Sequence, residues 1–157
     1  MARLDFKGLD EYLAKLGTVE KDTTGLCKRA LYDGAAVLAD AVRSEVQSLS
    51  VTDRNTDPQA VFEYERDGLL DGLGIAKMKD SNGYIYTRVD FDGYNRMKSK
   101  KYPQGHPNSM IARAINSGTS KRPKNAFMAR AVKKAKAGAE SAMKNRFDAD
   151  LEQIMKG

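Results

Sequence analysis

An α+β fold follows from three observations in the sequence. Two long stretches repeat apolar residues every three or four positions, as one helix face requires, and a segment between them alternates apolar and polar residues beside an Asn-Gly pair. The predicted architecture is two long α-helices packed on a small antiparallel β-sheet, with a long loop between the first helix and the sheet, all within a single domain, residues 1–157.

Leu4 and Phe6, separated by Asp5, read as a short edge strand, and Gly8 then opens a helix with Leu9, Leu13 and Leu16 on one side. Over residues 21–50, Cys27, Leu31, Ala35, Leu38, Val42, Val46 and Leu49 form one apolar stripe. This is the first main helix, ~40 Å long if unbroken. Residues 51–66 contain Pro58 and several turn-formers without a sustained period, which predicts a loop. Segments 75–78 and 84–91 flank Asp80-Ser81-Asn82-Gly83, a hairpin signal. In the second of them Tyr84, Tyr86, Arg88 and Asp90 share one face and Ile85, Thr87, Val89 and Phe91 the other, as in a half-buried antiparallel strand.

Residues 95–107 are basic and punctuated by Pro103, Gly105 and Pro107, so they form a second loop. "NSMIARAINSG" predicts a short helix with Asn108 or Ser109 as its N-cap and Gly118 as its stop. The last helix spans 124–155, with a seam of Met128, Ala131, Val132, Ala135, Ala139, Met143, Phe147, Leu151 and Ile154. Its length is about 45 Å.

With 41% hydrophobic and 31% charged residues, wholesale disorder is excluded. No apolar run reaches the ~20 residues of a membrane helix, and the acids in "MARLDFKGLDEYL" are wrong for a signal peptide, so a cytoplasmic chain without membrane contact is expected. The single cysteine, Cys27, has no internal disulfide partner and reads as a buried or half-buried thiol on a helix face. Charge is divided along the chain. Residues 1–94 hold 12 Lys or Arg against 17 Asp or Glu, net −5, whereas residues 95–157 hold 15 against 4, net +11. Such polarity suits an acidic partner, nucleic acid, or a head-to-tail contact between copies.

Catalytic chemistry finds little support. The only histidine, His106, lies between two prolines with no second His or Cys nearby, so neither a zinc site, which draws on three or four ligands, nor a Ser-His or Cys-His pair is indicated. The carboxylates of "FEYERDG" and "DFDG" lack the spacing of a calcium loop and are expected to face water. "NSGTSKRPKNAF", residues 116–127, has the flavour of a phosphate cradle, but its lysine follows the hydroxyls and a helix precedes it where a strand belongs. What remains is a loop meeting a helix N-terminus, with Lys121, Arg122 and Lys124 crowded beside it. No catalytic, metal-binding or cofactor-binding residue is predicted.

The combination resembles a family, the small tail-completion or head-to-tail joining proteins of the neck of long-tailed bacteriophages. Four features carry the resemblance across most of the chain: "GLDEYLAKL" before a long helix with "ALYDGAAVLADAVRSEV", "DGLLDGLGI" leading into "YIYTRVDFDGY", and "MIARAINSGTSKRPKNAFMARAV", in which a small helix, Gly-Thr, a basic Pro-containing loop and a Phe open the last helix. The chain departs from the family's pattern at Asn116, where an acidic residue is frequent, at Ala126, where a proline is frequent, and in the length of loop 51–66.

The resemblance implies a non-enzymatic virion protein, assembled in the host cytoplasm, that forms a ring at the head-to-tail junction. That ring is commonly hexameric, with an adaptor or portal-side neighbour above, a tail-terminator or tail-tube neighbour below, and DNA passing through its lumen without sequence-specific contacts. In this reading Gly118 permits the chain reversal, Pro123 helps set the start of the last helix and Phe127 anchors it in the core. Lys121, Arg122 and Lys124 then project from this joint toward a neighbouring subunit or DNA. The alternative is a basic nucleic-acid-binding module, suggested by the net charge of the last 63 residues, although the cations of the last helix spread over more than one side.

Overall fold

The first apolar stripe does form a helix, but the helix begins well before it. In the computed structural model, which describes residues 9–53 and 56–157, α1 runs unbroken over Leu9–Gln47. The expected edge strand at Leu4 and Phe6 lies outside the described residues, as does Gly8.

Within the polar segment of α1, Thr18 and Thr23 turn their hydroxyls back to the carbonyls of Ala14 and Val19, 3.1 and 2.8 Å away, so neither hydroxyl competes for a backbone N–H of the helix. The apolar row at its start is not covered. Leu13 is 55% and Leu16 40% exposed, beside an exposed Tyr12. Cys27 is half-buried.

The last helix, α4, spans Phe127–Lys156 rather than starting at Lys124, and runs antiparallel to α1. Arg29 Nε meets Asp150 Oδ2 at 2.7 Å, Arg146 Nη1 meets Asp33 Oδ2 at 3.6 Å, and Arg130 Nε meets Glu45 Oε2 at 2.8 Å, so rising numbers in one helix face falling numbers in the other. The seam between them is made of small residues. Ala30, Ala35, Ala131 and Ala135 are buried, and Gly34 leaves its space to the side chain of Met143. Small side chains let helix axes approach toward the lower end of the usual range, about 8 Å. Val132, expected on this seam, is 49% exposed.

Between the long helices the chain folds back along the pair, with most of the core at one end and Met78 and Ile85 reaching the neighbourhood of Arg29 and Leu31 further along α1. Residues 51–66, expected to be a loop throughout, instead hold β1 (Val51–Thr52), β2 (Val61–Phe62) and the first turn of α2 (Glu63–Gly72). β1 and β2 pair in parallel. Then come β3 (Leu73–Ile75), β4 (Lys79–Ser81), β5 (Tyr84–Tyr86) and β6 (Val89–Phe91). The single antiparallel sheet expected from the sequence is replaced by three two-stranded sheets, β1–β2, β3–β6 and β4–β5.

The reason for the split of the hairpin is a register slip. Ile75 faces Val89, but Lys79 faces Tyr86, so three residues oppose two in between and the ladder breaks there as at a bulge. Ala76 N still donates to Arg88 O, and Thr87 Oγ1 donates to Ala76 O, which holds the two halves in one ribbon. At its tip Asn82 and Gly83 take positive φ, 54° and 82°, as an Asn-Gly turn demands. The alternation holds: Val89 and Phe91 are buried while Tyr84, Tyr86 and Arg88 are exposed.

Helix α3 (Asn108–Ser117) completes the fold. Neither Asn108 nor Ser109 is its N-cap. Pro107 holds that position, and Asn108 is 2% exposed with Nδ2 donating to Asp92 O at 2.8 Å. The core gathers Val42, Val46 and Leu49 of α1, Leu69 of α2, Val89 and Phe91 of β6, Ile111 and Ile115 of α3, and Phe127 of α4. Phe127 is fully buried, edge-on to Phe91 with ring centroids 6.1 Å apart.

One charge is locked inside the helix pair. Glu45, 3% exposed, accepts from Lys134 and Arg130, whose hydrogen bonds, Lys134 first, hold its carboxyl below the usual glutamate range. The two cations reach water and the carboxylate does not, so the consequences of removal are unequal. E45Q leaves exposed cations and is expected to cost about 1 kcal/mol, whereas R130M/K134M strands a buried carboxylate and is expected to cost about 3 kcal/mol in denaturant titrations. Because the folded value is lowered, the contribution of Glu45 is complete above the ordinary glutamate pKa and is lost as pH falls through the lowered one. Acid unfolding of E45Q should therefore be less steep in that window than that of the native chain.

Candidate functional site

The joint between α3 and α4 is where the sequence concentrates its candidate residues. Gly118 ends α3 with φ 78° and ψ 167°, a region open essentially only to glycine, and its N donates to Ala114 O. A Cβ there would also crowd the backbone of Lys124, whose N would lie at 2.9 Å. The chain then makes a tight turn. Thr119 N donates to Arg122 O at 2.8 Å, and Thr119 Oγ1 accepts from the N–H groups of Lys121 and Arg122.

Beyond half-buried Pro123 the chain is tied back to α3. Asn125 N donates to Ile115 O at 2.9 Å, and Asn116 Oδ1 accepts from Met128 N at 3.2 Å. Asn116 thus satisfies one of the open N–H groups at the start of α4 from outside the helix, a task an acidic side chain could also perform. Phe127 carries the chain from the turn straight into the core.

The three cations of this joint do not behave alike. Lys121 and Lys124 are exposed and make no ion pair with the described residues. Arg122, expected to project outward, is turned inward instead. Its Nη2 lies 2.8 and 3.1 Å from the two carboxylate oxygens of Glu65, whose side chain is 7% exposed. Glu65 Oε2 also accepts from Phe62 N at 3.0 Å, closing the start of α2. A buried carboxylate needs its charge compensated, and a guanidinium supplies it better than water can at this depth. The carboxylates of "FEYERDG" therefore do not all face water.

Glu65 was missed by sequence reasoning because its partner is 57 residues away. The remaining acids of α2 carried a signal that was legible: Glu63, Asp67 and Asp71 recur every four residues and share one helix side. They lie toward Arg96, whose Nη1 is 2.8 Å from Asp67 Oδ2. Here a cavity of about 220 Å³ is lined by Tyr64, Asp67, Gly68, Asp71, Tyr94, Asn95 and Arg96. Burial first, and then the charge of Glu65, push the Tyr64 hydroxyl above its ordinary pKa, so it stays protonated.

Residues 93–139 hold 12 Lys or Arg and no Asp or Glu. Arg96, Arg122, Arg130 and Lys134 are taken by acids from the first half of the chain. Lys98, Lys100, Lys101, Arg113, Lys121, Lys124, Lys133 and Lys136 remain exposed. His106 stands edge-on to Tyr102, with centroids 5.1 Å apart, and donates its backbone N–H to Asn95 Oδ1. Among the described residues no group of three His, Cys, Asp or Glu is placed to hold a metal, and no helix is long and apolar enough to cross a membrane.

Two substitutions test the joint. R122A should destabilise the chain by about 3 kcal/mol because Glu65 is left buried and unpaired, and R122K, which keeps a cation on a side chain of similar length, should recover part of this. G118A should cost about 2 kcal/mol from backbone strain alone, read as a lowered midpoint in urea.

Comparisons with known protein families, with curated proteins and with solved structures each give no match for this chain.

Proposed function

We propose that this chain is a non-enzymatic structural protein of a bacteriophage virion, forming a ring, hexameric in the simplest case, at the junction of head and tail. The observation that carries the reading is the joint at residues 118–127. Gly118 stops one helix, a docked basic turn follows, and Phe127 sinks into the core at the start of the last helix, in the order found in the neck proteins that the sequence resembles. The division of charge supports it as well, since a ring is a closed heterologous assembly in which every subunit carries two different complementary faces. On this reading the neighbours are adaptor or portal-side and tail-side proteins, and the ring encloses DNA without reading its sequence.

A second reading has its own support. The acid-free run 93–139, with eight cations left exposed, suits a nucleic-acid-binding module. Salt titration of duplex binding separates the two. The neck protein should bind weakly and lose binding by moderate salt, whereas a dedicated module should hold duplex tightly as a monomer. Reconstruction of assembled particles should locate the chain at the top of the tail, and particles lacking it should accumulate as heads and tails that do not join. Normal joining in its absence would remove the proposal.

A further inference from the structure

The exposed cations and the acids of α2 are arranged in a way that the ring reading does not by itself require. Arg122 fastens the basic turn to α2 through Glu65. At 3.6 residues per turn, Asp67 and Asp71 lie about 160° and about 120° around the helix from Glu65. The turn that carries Lys121 and the cavity that carries Asp67 and Asp71 therefore sit on opposing sides of one ten-residue helix.

The cavity holds more acid than base. Asp67 is paired with Arg96, while Asp71 is exposed and makes no ion pair with the described residues. A ligand suited to this site would bring a cation for Asp71, flanked by Tyr64 and Tyr94. The turn at Ser120 and Lys121 offers an exposed ammonium. It cannot reach the cavity of its own chain from the other side of α2.

We propose that the basic turn of one copy, through Lys121 and Lys124, docks into the Tyr64–Asp67–Asp71–Tyr94 cavity of a second copy. This rests on the ring reading and names the contact that would close it. The two surfaces differ in sign and face apart, so the contact is head-to-tail rather than two-fold.

Charge reversal tests it in particles assembled with the full chain. K121E/K124E and D67K/D71K should each lower ring incorporation by about tenfold, because like charges then face each other across the contact. The quadruple variant, which restores opposite signs with their positions exchanged, should recover most of the loss. The thermal midpoints of the isolated variants serve as the folding control, since Lys121, Lys124 and Asp71 are exposed and Asp67 gives up only a surface pair. Full incorporation of D67K/D71K would overturn the contact while leaving the ring in place. A quadruple variant as defective as K121E/K124E, with duplex binding reduced in both, would overturn it in favour of a DNA contact. Native chains that never cross-link to one another in particles would overturn the ring reading itself.

Discussion

The antiparallel pairing of α1 with α4 is the constraint on which the rest depends. Alanine and glycine along the seam bring the helices close, which leaves little room for large side chains between them over most of their length. Most of the large buried apolar residues gather at one end, where α2, α3 and β6 cover them, while Leu26 is fully buried nearer the other. The joint is built at the end that α2, α3 and β6 cover. The joint exists because α4 must begin where the core needs Phe127, and α2 lies where Glu65 can compensate the arginine of the turn.

Charge follows the same logic. The first part of the chain supplies buried carboxylates and the last part supplies the cations that neutralise them, at Glu45 and Glu65. Folding thus uses part of the long-range charge asymmetry as internal cross-links and leaves the remainder on the surface. Burial of an ion pair is not in itself a large source of stability, but it punishes any arrangement that leaves the carboxylate alone.

Legibility in the sequence tracked the range of the interaction. The stripe of Val42 and Val46, the alternation from Tyr84 to Phe91 and the stop at Gly118 depend on neighbours a few residues away, and all three were readable. Helix α2 was hidden because it is ten residues long and contains Gly68 and Gly72, whose missing side chains make room for Asn95, Asn108 and the Asp92 carbonyl. The one-residue slip that divides the hairpin leaves no mark on the pattern of apolar residues. Arg122 looked like surface chemistry because the acid that claims it is distant in the chain.

The unequal lengths of the long helices, 39 and 30 residues, have a further consequence. Asp150 faces Arg29 and α4 ends at Lys156, so α1 outruns its partner from about Thr23 toward its N-terminus. Opening a turn near Tyr12 breaks local helix bonds, while opening one near Val42 breaks the core. Amide protection should therefore rise along α1 in one direction, making a single continuous helix a graded element, loose at one end and as stable as the whole molecule at the other.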